Sequence, residues 1–212
     1  MRVVERLLTL CGETHLAGVP CVLVRFAGCD LRCRYCDTVY ARDRDAAAEE
    51  VSAEELAQWV LGQGLGLALL TGGEPLLQPE LPRLAEALAR RVTVLVETSG
   101  ALDISPLQAP VVRSVDIKGP SSGEAERMCL ENLDRLRPGD CVKFVVADRG
   151  DYEHARGVIR DHRLGAPVNI LLSSAYSHLE PSQLAAWIIE DRLDARLNVQ
   201  LHKVLWPQLE RR

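Results

Sequence analysis

Short apolar runs alternate with amphipathic helical patterns almost from end to end of this chain, and that alternation limits its fold more than any other feature. Residues 21–27, 67–70, 92–96, 111–117, 141–146, 168–172 and 197–201 read as strands. Most are continuously apolar, as strands covered on both faces are. Between them, Ser52 and Glu55 spell a capping box opening a helix, and helices are predicted over 80–90, 124–136, 151–161 and 183–190. Alternation of this kind implies a parallel sheet with right-handed crossovers. A complete eight-fold barrel takes about 250 residues. The expected fold is therefore α/β, an incomplete TIM-type barrel of about six or seven mostly parallel strands. A flat doubly wound sheet is the alternative. No repeat or linker divides the chain, so residues 1–212 are expected to form a single domain. Residues 1–10 read as a short mixed stretch with no assigned element.

Apolar residues make up 47% and charged residues 26% of the chain, as in ordinary soluble proteins. The net charge is -5 and no block of Lys and Arg occurs, which argues against nucleic acid as a direct partner. No apolar run has the length of a signal peptide or a membrane span, so a cytoplasmic location is expected. Thiols stay reduced there, and the seven cysteines need an explanation other than disulfides. Cys11, Cys21, Cys129 and Cys141 are scattered and read as small buried residues.

The polar residues suited to chemistry follow strands: Thr71 to Glu74, Glu97 to Ser99, Asp116 to Lys118, Ser173 with Ser174, and His202 after the last run. In a parallel barrel these points share one rim, where barrel active sites lie. Cys29, Cys33 and Cys36 stand at C-x3-C-x2-C spacing in a loop leaving the first predicted strand. Such a loop can wrap its thiolates around a 4Fe–4S cubane, one per iron, leaving the fourth iron open. Structural zinc is the alternative; it wants four closed ligands, and neither His15 nor Cys21 stands at a zinc-finger spacing.

C-x3-C-x2-C with Tyr35 before the last cysteine, followed by Thr71-Gly72-Gly73-Glu74-Pro75 after the next strand, resembles the radical S-adenosylmethionine superfamily. The resemblance implies that the open iron chelates the amino and carboxylate groups of S-adenosylmethionine, whose reductive cleavage yields a 5′-deoxyadenosyl radical. Residues 12–20, 24–29, 36–38, 115–118 and 200–206 are further similar to 7-carboxy-7-deazaguanine synthases. That family is implied to convert 6-carboxy-5,6,7,8-tetrahydropterin to 7-carboxy-7-deazaguanine with loss of ammonia, on the way to queuosine and related deazapurines. The resemblance assigns Thr38 to Mg2+. It assigns Tyr35, Cys36, Asp37, Gly73, Glu74, Ser99, Asp116, Ile117, Lys118 and Ser173 to S-adenosylmethionine. Leu10, Cys11, Gly12, Glu13, Arg25, Thr71 and His202 fall to the pterin. Arg25 also suits that role by type, since its guanidinium grips a carboxylate with two parallel hydrogen bonds. A flavodoxin or ferredoxin as reductant and a homodimer are implied as well.

The chain departs from the family pattern at Cys11, where Gln is usual, in 173–176, which lack a Pro, and in the tail 207–212. A glycyl-radical-enzyme activase shares the cysteine spacing. Activases usually carry Asn soon after the third cysteine and a Gly-Pro-Gly run near the start, where this chain has Asp37-Thr38 and Gly12-Glu13.

Overall fold

The computed structural model describes residues 1–43 and 45–207. In chain order its strands and α-helices are β1 (Arg2–Leu10), β2 (Pro20–Phe26), α1 (Val39–Arg42), β3 (Glu49–Glu50), α2 (Ala53–Gly62), β4 (Leu67–Gly72), α3 (Leu81–Ala89), β5 (Thr93–Thr98), β6 (Val112–Asp116), β7 (Cys141–Val146), α4 (Arg149–Asp161), β8 (Asn169–Ser174), α5 (Pro181–Glu190), β9 (Arg196–Leu197) and α6 (Leu201–Leu205). The strands form one sheet in the order β3-β1-β2-β4-β5-β6-β7-β8-β9. From β2 to β9 every pairing is parallel, while β1 joins β2 and β3 antiparallel. The edge strands β3 and β9 do not meet, so the barrel is incomplete, as expected.

Register assigns the two faces. Residues opposite one another in a parallel ladder share a face, and successive residues alternate. Val22, Val24, Ala68, Leu70, Val94 and Val96 lie on the outer face, where they pack against Leu56 and Val60 of α2 and Leu81, Leu84 and Leu88 of α3. Further along the same face, Val142, Phe144, Ile170 and Leu172 meet Tyr152 and Ala155 of α4 and Leu184 of α5. Helices α2 to α5 all lie on this one face, which rules out the doubly wound alternative. The inner face carries a smaller cluster in which Leu23, Leu69 and Leu95 surround Cys11 and Cys21.

The segment between β1 and β2 crosses this inner face. Thr14 donates its N–H to Asn198 Oδ1 at 2.9 Å, and Leu201 donates its N–H to the carbonyl of Gly12 at 2.8 Å. Six interstrand spacings separate β2 from β9, roughly 29 Å in a flat sheet. One short segment cannot bridge them unless the sheet curls.

Three expectations need correction. Residues 2–10 form β1, a nine-residue strand, where no element was assigned. Residues 124–136 hold two short 3-10 turns at Ala125–Arg127 and Leu130–Arg135 in place of one α-helix. Asn132 explains the difference: it is fully buried, accepts from the N–H of Ile104 and donates to the carbonyls of Gly100 and Leu102. These tertiary bonds prevail over the segment's helical pattern. The last predicted strand, 197–201, shrinks to Arg196–Leu197, because Asn198 turns inward to Thr14 and Ser173. His202 therefore sits on the short helix α6 and does not follow a strand directly.

Candidate active site

One step beyond the apolar inner cluster, the same inward-facing rows turn polar. Leu23 is followed inward by Arg25, Leu69 by Thr71 and Leu95 by Glu97; Asp116, Lys143 and Ser173 complete the ring from β6, β7 and β8. These side chains floor a cleft at the carboxyl ends of the parallel strands. It encloses about 1470 Å³ of non-atom space, open solvent at its mouth included.

The loop after β2 forms one wall. Cys29, Cys33 and Cys36 are half-exposed free thiols lining the cleft. Backbone bonds fix the loop: Gly28 donates to Ala41 at 2.9 Å, Cys29 to Arg42 at 2.7 Å, and Glu74 to Gly28 at 2.7 Å. A side chain at Gly73 would collide with the Gly28 carbonyl, so only glycine lets these strand ends approach so closely. Burial pushes the Cys29 thiol up to about 11. It raises Cys33 too, against the pull of the Lys118 cation. Among the described residues, no group of three or more His, Cys, Asp or Glu closes on a single ion. A cubane takes its thiolates one on each iron, and three half-exposed thiols on one loop are a donor set of that kind. Thr38 is the N-cap of α1, yet its hydroxyl makes no capping bond. It lines the cleft 3.8 Å from Cys36 Sγ, a hard oxygen available to a cation such as Mg2+.

The floor beside that loop is built for an anion. Arg25 Nε donates to Glu5 Oε1 at 2.6 Å, and the Tyr40 hydroxyl donates to the same oxygen at 2.8 Å. That pairing occupies Nε and leaves the terminal nitrogens of Arg25 as an edge matched to a carboxylate. Leu10, Gly12 and Glu13 line the same side. His202 lies so close to Gly12 that a Cβ there would strike its ring. Burial lowers the His202 pKa, against the pull of Glu13 and Asp37, which favours the neutral imidazole.

The Radical SAM superfamily model matches residues 23–114, the stretch holding the three cysteines and Gly73. The 7-carboxy-7-deazaguanine synthase of Koribacter versatilis is 40% identical, over 97% of this chain and 97% of that protein. The Chlorobaculum tepidum protein of the same name is 38% identical, over 97% of this chain and 94% of its own length. This chain belongs to the 7-carboxy-7-deazaguanine synthase family. The crystal structure of QueE from Escherichia coli shares its fold, with a TM-score of 0.77 at 23% identity over 94% of this chain and 93% of that one.

Of the residues that the family pattern marks, most line the cleft: Tyr35, Asp37, Gly73, Ser99, Asp116, Lys118 and Ser173, besides those already placed. Three do not. The Cys11 side chain is buried beneath the floor, its Sγ donating to the Glu13 carbonyl at 3.1 Å. Ile117 belongs to the outer core with Val115 and Val142. The Glu74 carboxylate is fully buried and accepts from Thr98 Oγ1 at 2.8 Å and from the N–H groups of Ser99 at 2.6 Å and Leu76 at 2.9 Å. It clamps the loop after β5 onto the loop after β4. Of the tail 207–212, residues 208–212 lie outside the described residues.

Two residues of this synthase's cleft escaped the sequence reading. Lys143 Nζ lies 2.5 Å from Glu13 Oε2 and 3.3 Å from Asp116 Oδ1. An apolar strand gives no warning of an inward lysine, because only the register shows which face it occupies. Glu97 is visible in the sequence as a polar strand end, with nothing there to mark its role. Burial pushes its carboxyl up to about 7; Lys143 pulls it down while Glu13 and Asp116 push it further up.

Proposed function

We propose that this chain converts 6-carboxy-5,6,7,8-tetrahydropterin to 7-carboxy-7-deazaguanine by radical ring contraction with loss of ammonia, feeding queuosine and related deazapurines. The observation that carries this reading is that the three-thiol loop and Arg25 face one cleft. When bound, the 4Fe–4S cluster and S-adenosylmethionine of the superfamily supply reversible hydrogen-atom abstraction from an unactivated carbon, chemistry no side chain offers.

Cys29, Cys33 and Cys36 hold the cluster in this reading. Gly73, Ser99, Asp116, Lys118 and Ser173 hold S-adenosylmethionine, with Tyr35 and Asp37 from the thiol loop. The Glu74 carboxylate acts at one remove, by fixing Ser99. Arg25 grips the pterin carboxylate, Thr38 would hold Mg2+, which would supply a hard positive charge beside that carboxylate, and Glu13, Thr71 and His202 orient the ring system. The net change is loss of ammonia, so no oxidant is consumed. The departing nitrogen needs a proton; Glu97 lines the cleft with its carboxyl pushed up to about 7 by burial, which supports it as the donor. A flavodoxin- or ferredoxin-like donor supplies the reducing electron. A single domain, a homodimer and a cytoplasmic location complete the reading; the seven free cysteines accord with the last. Among the described residues, no helix is long and apolar enough to cross a membrane.

The likeness to synthases over nearly the whole chain sets the activase alternative aside. The test is anaerobic reconstitution followed by incubation with reductant, S-adenosylmethionine, Mg2+ and the carboxypterin. Formation of 7-carboxy-7-deazaguanine that depends on all four supports the reading. A glycyl radical raised in an added partner, with no deazaguanine, refutes it.

A further inference from the structure

We propose that Lys143 is a positioning residue that ties the pterin side of the cleft to the adenosylmethionine side, through Glu13 on one and Asp116 on the other. The inference rests on the functional reading above, because that reading assigns the two sides. Its basis is an unbroken chain of alternating charge across the cleft floor. Lys143 Nζ meets Glu13 Oε2 at 2.5 Å and Asp116 Oδ1 at 3.3 Å, and the second oxygen of Asp116 takes Lys118 Nζ at 2.6 Å. Lys143 lies directly opposite Asp116 in the β6–β7 ladder, so the sheet register itself fixes that contact. Glu13 belongs to the irregular segment crossing the inner face, and Lys143 is the ion-pair partner that ties its carboxylate to the sheet.

Glu13 and Asp116 pair with this one ammonium group, which also attracts the Glu97 carboxyl. Without it they would repel one another or take up protons. Glu13 would then lose its aim at the pterin, and Asp116 would be left to Lys118 alone. An ammonium group has three rotatable donors on a long stem, which suits a junction of separate carboxylates better than a planar fork does.

The test uses anaerobically reconstituted holoenzyme and the variants Lys143→Met, Lys143→Arg and Lys143→Met/Glu13→Gln. Calorimetry gives the Kd of S-adenosylhomocysteine, and of the carboxypterin in its presence; iron and sulfide content and melting temperature report integrity. Lys143→Met should keep the cluster and weaken both ligands at least tenfold, with Lys143→Arg recovering part of each loss. If the single variant does not fold, the double variant, which leaves no unpaired Glu13 charge, is read in its place and should bind both ligands at least tenfold more weakly. A folded variant binding both within twofold of wild type overturns the inference, and so does one that weakens only one ligand. Wild-type holoenzyme that binds S-adenosylhomocysteine but no carboxypterin overturns the functional reading and this inference with it. Tight wild-type binding of both, with the variants unchanged, overturns this inference alone.

Discussion

Burial holds the Glu97 carboxyl at about 7, against an ordinary value near 4.5, with Lys143 restraining the shift and Glu13 and Asp116 adding to it. A group that must be protonated to release ammonia loses its function as pH rises through that value. The kcat of wild type should therefore fall on an alkaline limb near 7. Glu97→Gln should abolish the limb and reduce kcat by about a hundredfold, as expected for loss of a general acid. The same shift has a stability consequence. The folded state binds the extra proton between about 4.5 and 7, so Glu97's contribution is fully present below that window and is lost as pH rises through it. Thermal melts at pH 5 and pH 8 should differ less in Glu97→Gln than in wild type. At the thiol loop, Cys33→Ala should lose iron and sulfide on reconstitution while Cys129→Ala, away from the cleft, keeps both. Equal content in the two variants would remove Cys33 from the cluster. Thr38→Ala should weaken activation by Mg2+ and leave the cluster intact; activity unchanged by chelating Mg2+ in wild type would remove the metal from the site.

Element positions in this fold depend on a few buried polar anchors as much as on apolar runs. Asp140 is one. Both it and Arg113 are 3% exposed in their side chains, and Asp140 accepts from Arg113 N and Nε at 2.9 Å each and from Arg137 N at 2.8 Å. Removing one partner of such a pair leaves a buried charge uncompensated, so Asp140→Ala should cost about 3–5 kcal/mol in denaturant unfolding. A loss under 1 kcal/mol would show that the anchor is dispensable. Such anchors mark the limits of what the sequence discloses. The strands β2, β4, β5, β7 and β8 were legible because covering both faces demands continuous apolar runs. β1 was not, since Arg2, Glu5 and Arg6 break its apolar pattern: Arg2 and Arg6 pair with Glu50 and Glu49 of the edge strand, and Glu5 pairs with Arg25 in the cleft. Residues 124–136 carried a helical pattern, and only tertiary bonds through Asn132 reveal that it is not used. The cysteine loop and Gly73 were legible by spacing. Lys143 and the inward turn of Glu74 depend on register and partners that no local pattern encodes.

At the scale of the whole molecule, an incomplete barrel offers what this chemistry asks of a fold. The curled sheet brings side chains from six parallel strands to one end, and the segment between β1 and β2 spans the gap by joining α6. Helices α2 to α5, packed on the outer face, leave the inner face for the reactants. The central claim is that these walls hold a pterin carbon against a reversible hydrogen-atom acceptor while excluding other donors. The most direct measurement follows the hydrogen. Reconstituted, reduced protein with S-adenosylmethionine, Mg2+ and 6-carboxytetrahydropterin deuterated at carbon 6 should yield 7-carboxy-7-deazaguanine, with deuterium entering recovered S-adenosylmethionine. Product formed with stoichiometric consumption of S-adenosylmethionine, and no deuterium in what remains, would contradict it.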